Sequence, residues 1–160
     1  MISTRYSEQE LVMIFALPGE RKQRQALDEL AEHRKHGESL LISIFDAQLK
    51  PSIRRWAVEG LCAFQSEEAA TRIRTSLFDK NMSVRLHAVS GIRRRSRQEF
   101  LPDLVLLLSD TSGSIRLNVL QTLVAMDPSR ANVHLAEGLH DEKAYVRAFA
   151  AKALAANVAA

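Results

Sequence analysis

The sequence predicts an all-α fold, an α-solenoid (superhelix) of about five antiparallel helix pairs. Three observations predict it. One pattern returns four times, as "PSIRRWAVEGL", "MSVRLHAVSGI", "GSIRLNVLQTL" and "AYVRAFAAKAL", with its β-branched residue at Ile53, Val84, Ile115 and Val146, 31 residues apart each time. A repeat of that length is one supersecondary unit, able to bury its apolar face only against its neighbours. Each copy carries small or apolar residues at helical spacing, Ala57 and Leu61, Ala88 and Ile92, Val119 and Leu123, Ala150 and Leu154. No stretch alternates apolar and polar residues over the length of a strand.

Caps and period place helices at about 6–17, 20–35, 38–48, 51–64, 67–79, 82–95, 98–109, 113–127, 130–140 and 143–158. The connections carry turn chemistry, "LPGE" at 17–20, "KHGES" at 35–39, "SDTSG" at 109–113 and "MDPSR" at 126–130. Short loops force consecutive helices antiparallel. The expected pairs are roughly 5–35, 37–64, 67–95, 97–127 and 129–158, in a single domain spanning 1–160. "RKQRQALDEL", with Ala26 and Leu30, fits the second helix of the first pair in degenerate form.

Each repeat also fixes two charges. An arginine follows the β-branched residue, as Arg54, Arg85, Arg116 and Arg147, and an aspartate stands six positions before the last three, as Asp79, Asp110 and Asp141. In the second pair Asp46 lies eight positions before Arg54, so that turn is two residues longer.

Bulk properties narrow the function. The chain has 160 residues, 46% hydrophobic and 26% charged, which is the composition of a globular protein. Cys62 is the single cysteine, so no disulfide forms within the chain, and no Cys/His pattern has zinc-site spacing. The apolar run Leu11–Leu17 is too short to span a bilayer. It follows "SEQE" with no basic region before it, and a cytoplasmic protein is expected. The net charge of +3 is a modest basis for nucleic-acid binding. The one dense basic run, Arg93–Arg97, stands where a helix should end and there complements the dipole.

The Asp–x5–Arg spacing across a turn, followed by "A-x-x-x-L", resembles the HEAT repeat in its short bacterial form, like that of phycobilin lyases. Pro102, eight residues before Asp110, adds to the likeness, because HEAT units often carry a proline in their first helix. The resemblance covers about 37–158 well and 5–36 weakly. It implies that the aspartates and arginines form a structural ladder between adjacent units, and that the second helix of each pair lines the concave side.

With the packing and ladder positions assigned, the remaining positions of the second helices face outward together. They are Arg55, Trp56 and Glu59; Leu86, His87, Ser90 and Arg94; Leu117, Asn118 and Gln121; Phe149 and Lys152. An aromatic and aliphatic strip among polar groups suits a polypeptide partner, since Trp, Tyr and Arg dominate hot spots. No catalytic, metal or cofactor residues are expected. "HRKH" and "HLAEGLHDE" do not converge as metal ligands, for His134, Glu137 and His140 drift round a helix by about 60° per step. The paired His-Glu dipeptides of iron-binding HEAT-like hydroxylases are replaced by Arg55-Trp56, Leu86-His87, Leu117-Asn118 and Ala148-Phe149. A nucleic-acid-binding protein and a bilin-handling lyase-type protein are the alternatives to a non-catalytic protein-binding scaffold. The alanine-rich last helix suggests weak self-association through 146–160.

Overall fold

The computed structural model describes residues 6–159. Among them are ten α-helices and no strand: α1 (Glu8–Ala16), α2 (Arg21–Glu32), α3 (Arg34–Asp46), α4 (Pro51–Leu61), α5 (Glu67–Leu77), α6 (Met82–Arg95), α7 (Leu101–Leu106), α8 (Gly113–Met126), α9 (Pro128–Gly138) and α10 (Ala144–Ala159). They fall into two compact units, one running to Gly91 and one beginning at Ile92.

Local chemistry starts the helices. Ser7 and Glu10 form a capping box on α1, with the Ser7 amide donating to the Glu10 carboxylate at 2.7 Å. Ser66 caps α5, and Asp127 caps α9 immediately before Pro128 in its first turn.

Two expectations need correction. The turn between α2 and α3 falls at His33 and Arg34, not at 35–39, and Arg34 takes a positive φ of 40° to make it. Gly37, read as part of that turn, is buried inside α3, where a Cβ would stand 2.1 Å from the Leu30 carbonyl oxygen. The glycine serves close approach of two backbones. The segment 98–109, expected as one helix, is α7 flanked by 3-10 turns at Gln98–Phe100 and Leu107–Ser109. Pro102 sits in the first turn of α7, where its missing N–H costs nothing.

In the first unit α4 is the central element. Helices α1, α2, α3 and α5 all pack on it. Leu11, Phe15, Leu30, Leu41, Ile44, Trp56, Leu61, Ile73 and Leu77 have no exposed surface. In the second unit α9 packs on both α8 and α10, which also touch each other, around Leu104, Ile115, Val119, Leu135, Val146 and Ala150.

Within each unit the arginines bridge successive turns. Arg54, 7% exposed, donates from Nη2 to both Asp79 carboxylate oxygens at 3.2 and 2.9 Å and from Nη1 to the Leu49 carbonyl at 2.8 Å. Arg116 makes a two-pronged contact, Nε and Nη2 donating to Asp141 at 2.7 and 2.8 Å, with Glu142 3.2 Å from Nη2. Its Nη1 donates to the Asp110 carbonyl at 2.6 Å. Arg85 and Arg147 likewise donate from Nη1 to the Asp79 and Asp141 carbonyls, at 2.8 and 2.7 Å. The six-residue spacing thus joins arginine to the aspartate's carbonyl, and the carboxylate serves an arginine 25 residues earlier. Each carboxylate also accepts from the backbone N–H two residues on, at Asn81, Ser112 and Lys143. A guanidinium fork on a carboxylate is the strong form of this bond.

Arg116→Ala and Asp141→Ala should each cost about 3–5 kcal/mol, as expected when one partner of a buried pair is removed. Urea unfolding of the double variant should show less than the sum, because the two side chains share one interaction. The Arg116 hydrogen bond, partly opposed by burial, holds the Asp141 carboxyl below the usual carboxylate range. Its contribution is therefore present above the unfolded-state pKa and is lost as pH falls through the lower folded value. Asp141→Asn should flatten the acid limb of the stability–pH curve; an unchanged limb would remove this pair from the ladder.

Candidate functional site

The residues expected on the open face divide sharply. In the first unit, Trp56 has no exposed surface and the Glu59 side chain is only 2% exposed, so both lie inside. The reason is α4 itself. Eight of its 11 residues are buried because helices close on it from α1 and α2 as well as from its own neighbours, leaving Pro51 and Arg55 half-buried and Ser52 exposed. Leu86, His87 and Ser90 on α6 remain half-buried.

Around the Glu59 carboxylate the chain gathers a set of charged and aromatic groups. Arg24 of α2 donates from Nη1 to Glu59 Oε1 at 2.8 Å, and its Nη2 donates to Glu20 at 2.9 Å. Burial works against the Arg24 charge, but Glu20 and Glu59 together hold its pKa above the ordinary arginine value. His87 Nδ1 lies 2.7 Å from Glu59 Oε2 and donates to it when the carboxylate is ionised, which fixes the imidazole proton on that nitrogen. The His87 ring stands edge-on to Trp56, centroids 4.6 Å apart at 80°. The Arg24 and Arg55 guanidinium carbons each lie 5.5 Å from the Trp56 ring centroid, a cation–π distance. Among the described residues, Trp56 Nε1 and Arg55 Nε have no hydrogen-bond partner.

The structure therefore brings Arg55, Trp56, Glu59 and His87 together and adds Arg24, which sequence reasoning missed. Arg24 lies 35 residues before Glu59, outside the repeat period, in the pair whose pattern is most degenerate. Only its place on the charged side of "RKQRQALDEL" signalled it.

In the second unit the expected face stays open. Leu117, Asn118 and Gln121 on α8 and Phe149 on α10 are half-buried, and Lys152 and Arg94 are exposed. Asn118 donates to the Ser114 carbonyl at 2.9 Å, and Gln121 accepts from Arg93 at 3.1 Å. Arg97, the last residue of the basic run, is buried, bonded to Glu99 at 2.6 Å with its guanidinium 5.2 Å from the Phe100 ring centroid.

Cys62 is buried, its Sγ donating to the Val58 carbonyl at 3.4 Å, and a Cβ on Gly91 would stand 2.7 Å from that sulfur. It fills a tight helix contact. Among the described residues no three His, Cys, Asp or Glu are placed to hold a metal ion, and no helix is long and apolar enough to cross a membrane.

A family model described as HEAT repeats matches residues 76–155, half of the chain. The chain belongs to the HEAT-repeat family. No curated protein matches it. Among solved structures it is similar to a designed armadillo repeat protein in complex with peptide (KR)4, at 18% identity and a TM-score of 0.53, over 97% of this chain and 83% of that one. At that identity the likeness shows the fold, an all-α armadillo-type solenoid.

In this HEAT-repeat protein Glu59→Ala should cost about 3–5 kcal/mol, leaving Arg24 and His87 without their shared carboxylate. The lone tryptophan, Trp56, reports the change, and its emission should move to the red as its surroundings loosen. Ser90→Ala, removing one half-buried hydroxyl, should stay within about 0.5 kcal/mol in the same urea titration.

Proposed function

We propose that this HEAT-repeat protein is a non-catalytic module that binds a polypeptide along the second helices of its repeats. The observation that carries the reading is the pair of adjacent helices α8 and α10. There half-buried Leu117 and Phe149 alternate with the amides of Asn118 and Gln121 and the ammonium of Lys152. Apolar groups contribute by burial, at about 25 cal/mol per Å² before association costs, and the side-chain amides match peptide backbone groups. In the first unit Arg55, Leu86, His87 and Ser90 are the candidates at that unit's own surface. Trp56 and Glu59 act there as a buried support that orients Arg55 and His87.

The designed relative's peptide, (KR)4, is cationic. Exposed Arg94 and Lys152 on the second unit of this chain suit a neutral or acidic segment instead. The basic run is less available to phosphates than the sequence suggested, because Arg97 is interior and Arg93 is bonded to Gln121.

The test is binding to a polypeptide captured from the host, measured alongside random DNA and RNA between about 50 and 200 mM salt. Phe149→Ala and Leu117→Ala should each weaken peptide binding about tenfold, with little salt dependence. Trp56→Ala should lower stability before it lowers affinity. Steeply salt-dependent nucleic-acid binding that is lost on neutralising Arg94 and Arg95 would replace this reading.

A further inference from the structure

Because the repeats are equivalent, α8 shows what covers a second helix on the side toward the next pair. Gly113 lies under Tyr145 and Lys143, Leu120 lies against Gly138, and Arg116 is bonded to Asp141. All three α8 residues are buried. One period later on α10 stand Ala144, Ala151 and Arg147, and all three are exposed. Arg147 keeps the anchoring bonds to the Asp141 and Glu142 carbonyls, at 2.7 and 3.0 Å, but no carboxylate accepts from it among the described residues. The Asp141 carboxylate is taken by Arg116. The α10 face is thus shaped for a helix pair whose connecting turn brings in a carboxylate.

The first unit offers such a pair in α1 and α2. The turn between α1 and α2 carries Glu20, whose side chain is 64% exposed and bonded to Arg24 alone. Beside it α1 turns Leu11 and Phe15 into the core and leaves Met13 and Leu17 exposed, at 61% and 43%. This end supplies an acid at an inter-helix turn with apolar side chains beside it. The α10 face supplies a guanidinium between alanines.

We propose that the α10 face docks on the α1–α2 end of a second copy of this chain, with Arg147 donating to that copy's Glu20. The two surfaces are different, so the contact is heterologous. An isologous α10–α10 pairing would set Arg147 against Arg147 with no acid between them, which charge disfavours.

Sedimentation equilibrium of the full chain over a wide concentration range tests this. The expected result is a mass that rises with concentration above that of a single chain. Arg147→Glu and Glu20→Arg should each weaken association about tenfold or more, since like charges then meet. Each reversal also removes bonds within the chain, Arg147 to the Asp141 and Glu142 carbonyls and Glu20 to Arg24. Circular dichroism should show each variant still helical and folded at the working temperature, with Arg147→Ala and Glu20→Ala alongside to mark what those bonds cost alone. Mixing the two variants is the decisive arm, because every junction between unlike copies regains an acid–base pair. The mixture should associate where neither variant does alone. A strict monomer at all concentrations, association indifferent to both reversals, or association strengthened by Arg147→Glu would overturn the proposal.

Discussion

A repeat arginine that holds two turns at once is the interaction on which the rest of this structure depends. One nitrogen is fixed by the carbonyl of the turn just before its helix, as in Arg116 and Asp110. The others reach the aspartate of the turn that follows, as in Arg116 to Asp141 and Arg54 to Asp79. A helix pair cannot bury its apolar face alone, and hydrophobic contact fixes neither rotation nor slide between neighbours. A planar guanidinium locked between a carbonyl and a carboxylate fixes both. The aspartate contributes a third bond, to the amide that opens the next helix, so one charge pair sets a turn, a helix start and a repeat junction.

That constraint also explains how the second-helix face can serve different ends in the two units. In the second unit the ladder carries the load at one edge of α8, and Leu117, Asn118 and Gln121 are left at the surface. In the first unit α4 is enclosed by an additional pair that does not follow the repeat closely. Closing a charged position inside requires compensation, because an unpaired buried carboxylate is far more costly than a paired one. Arg24 and His87 supply it for Glu59, and the aromatic faces of Trp56 and the nearby guanidiniums fill the remaining space.

The same logic sets α10 apart chemically from α8. Arg147 makes the half of the ladder bond that comes from its own turn, and among the described residues no carboxylate supplies the other half. Positions that carry Leu120 and Gly113 on α8 carry Ala151 and Ala144 on α10, small residues that leave room for a neighbour.

The sequence by itself determined the all-helical repeat fold, its period and the turn positions at which aspartate and arginine recur. These features are legible because they recur: the same packing problem, solved four times, leaves the same residues at the same spacing. The close approach at Gly37 was not legible, since a glycine in a polar stretch signals a turn equally well, and only the Leu30 carbonyl against it distinguishes the two. Nor was the burial of Trp56 and Glu59. A helical register says which residues share a face, but whether that face meets water depends on which other helices reach it. Here α2 brings Arg24 across from 35 residues away. Contacts that fall outside the repeat period leave no periodic trace, so the tertiary structure alone decided which part of the shared face became interior and which stayed open.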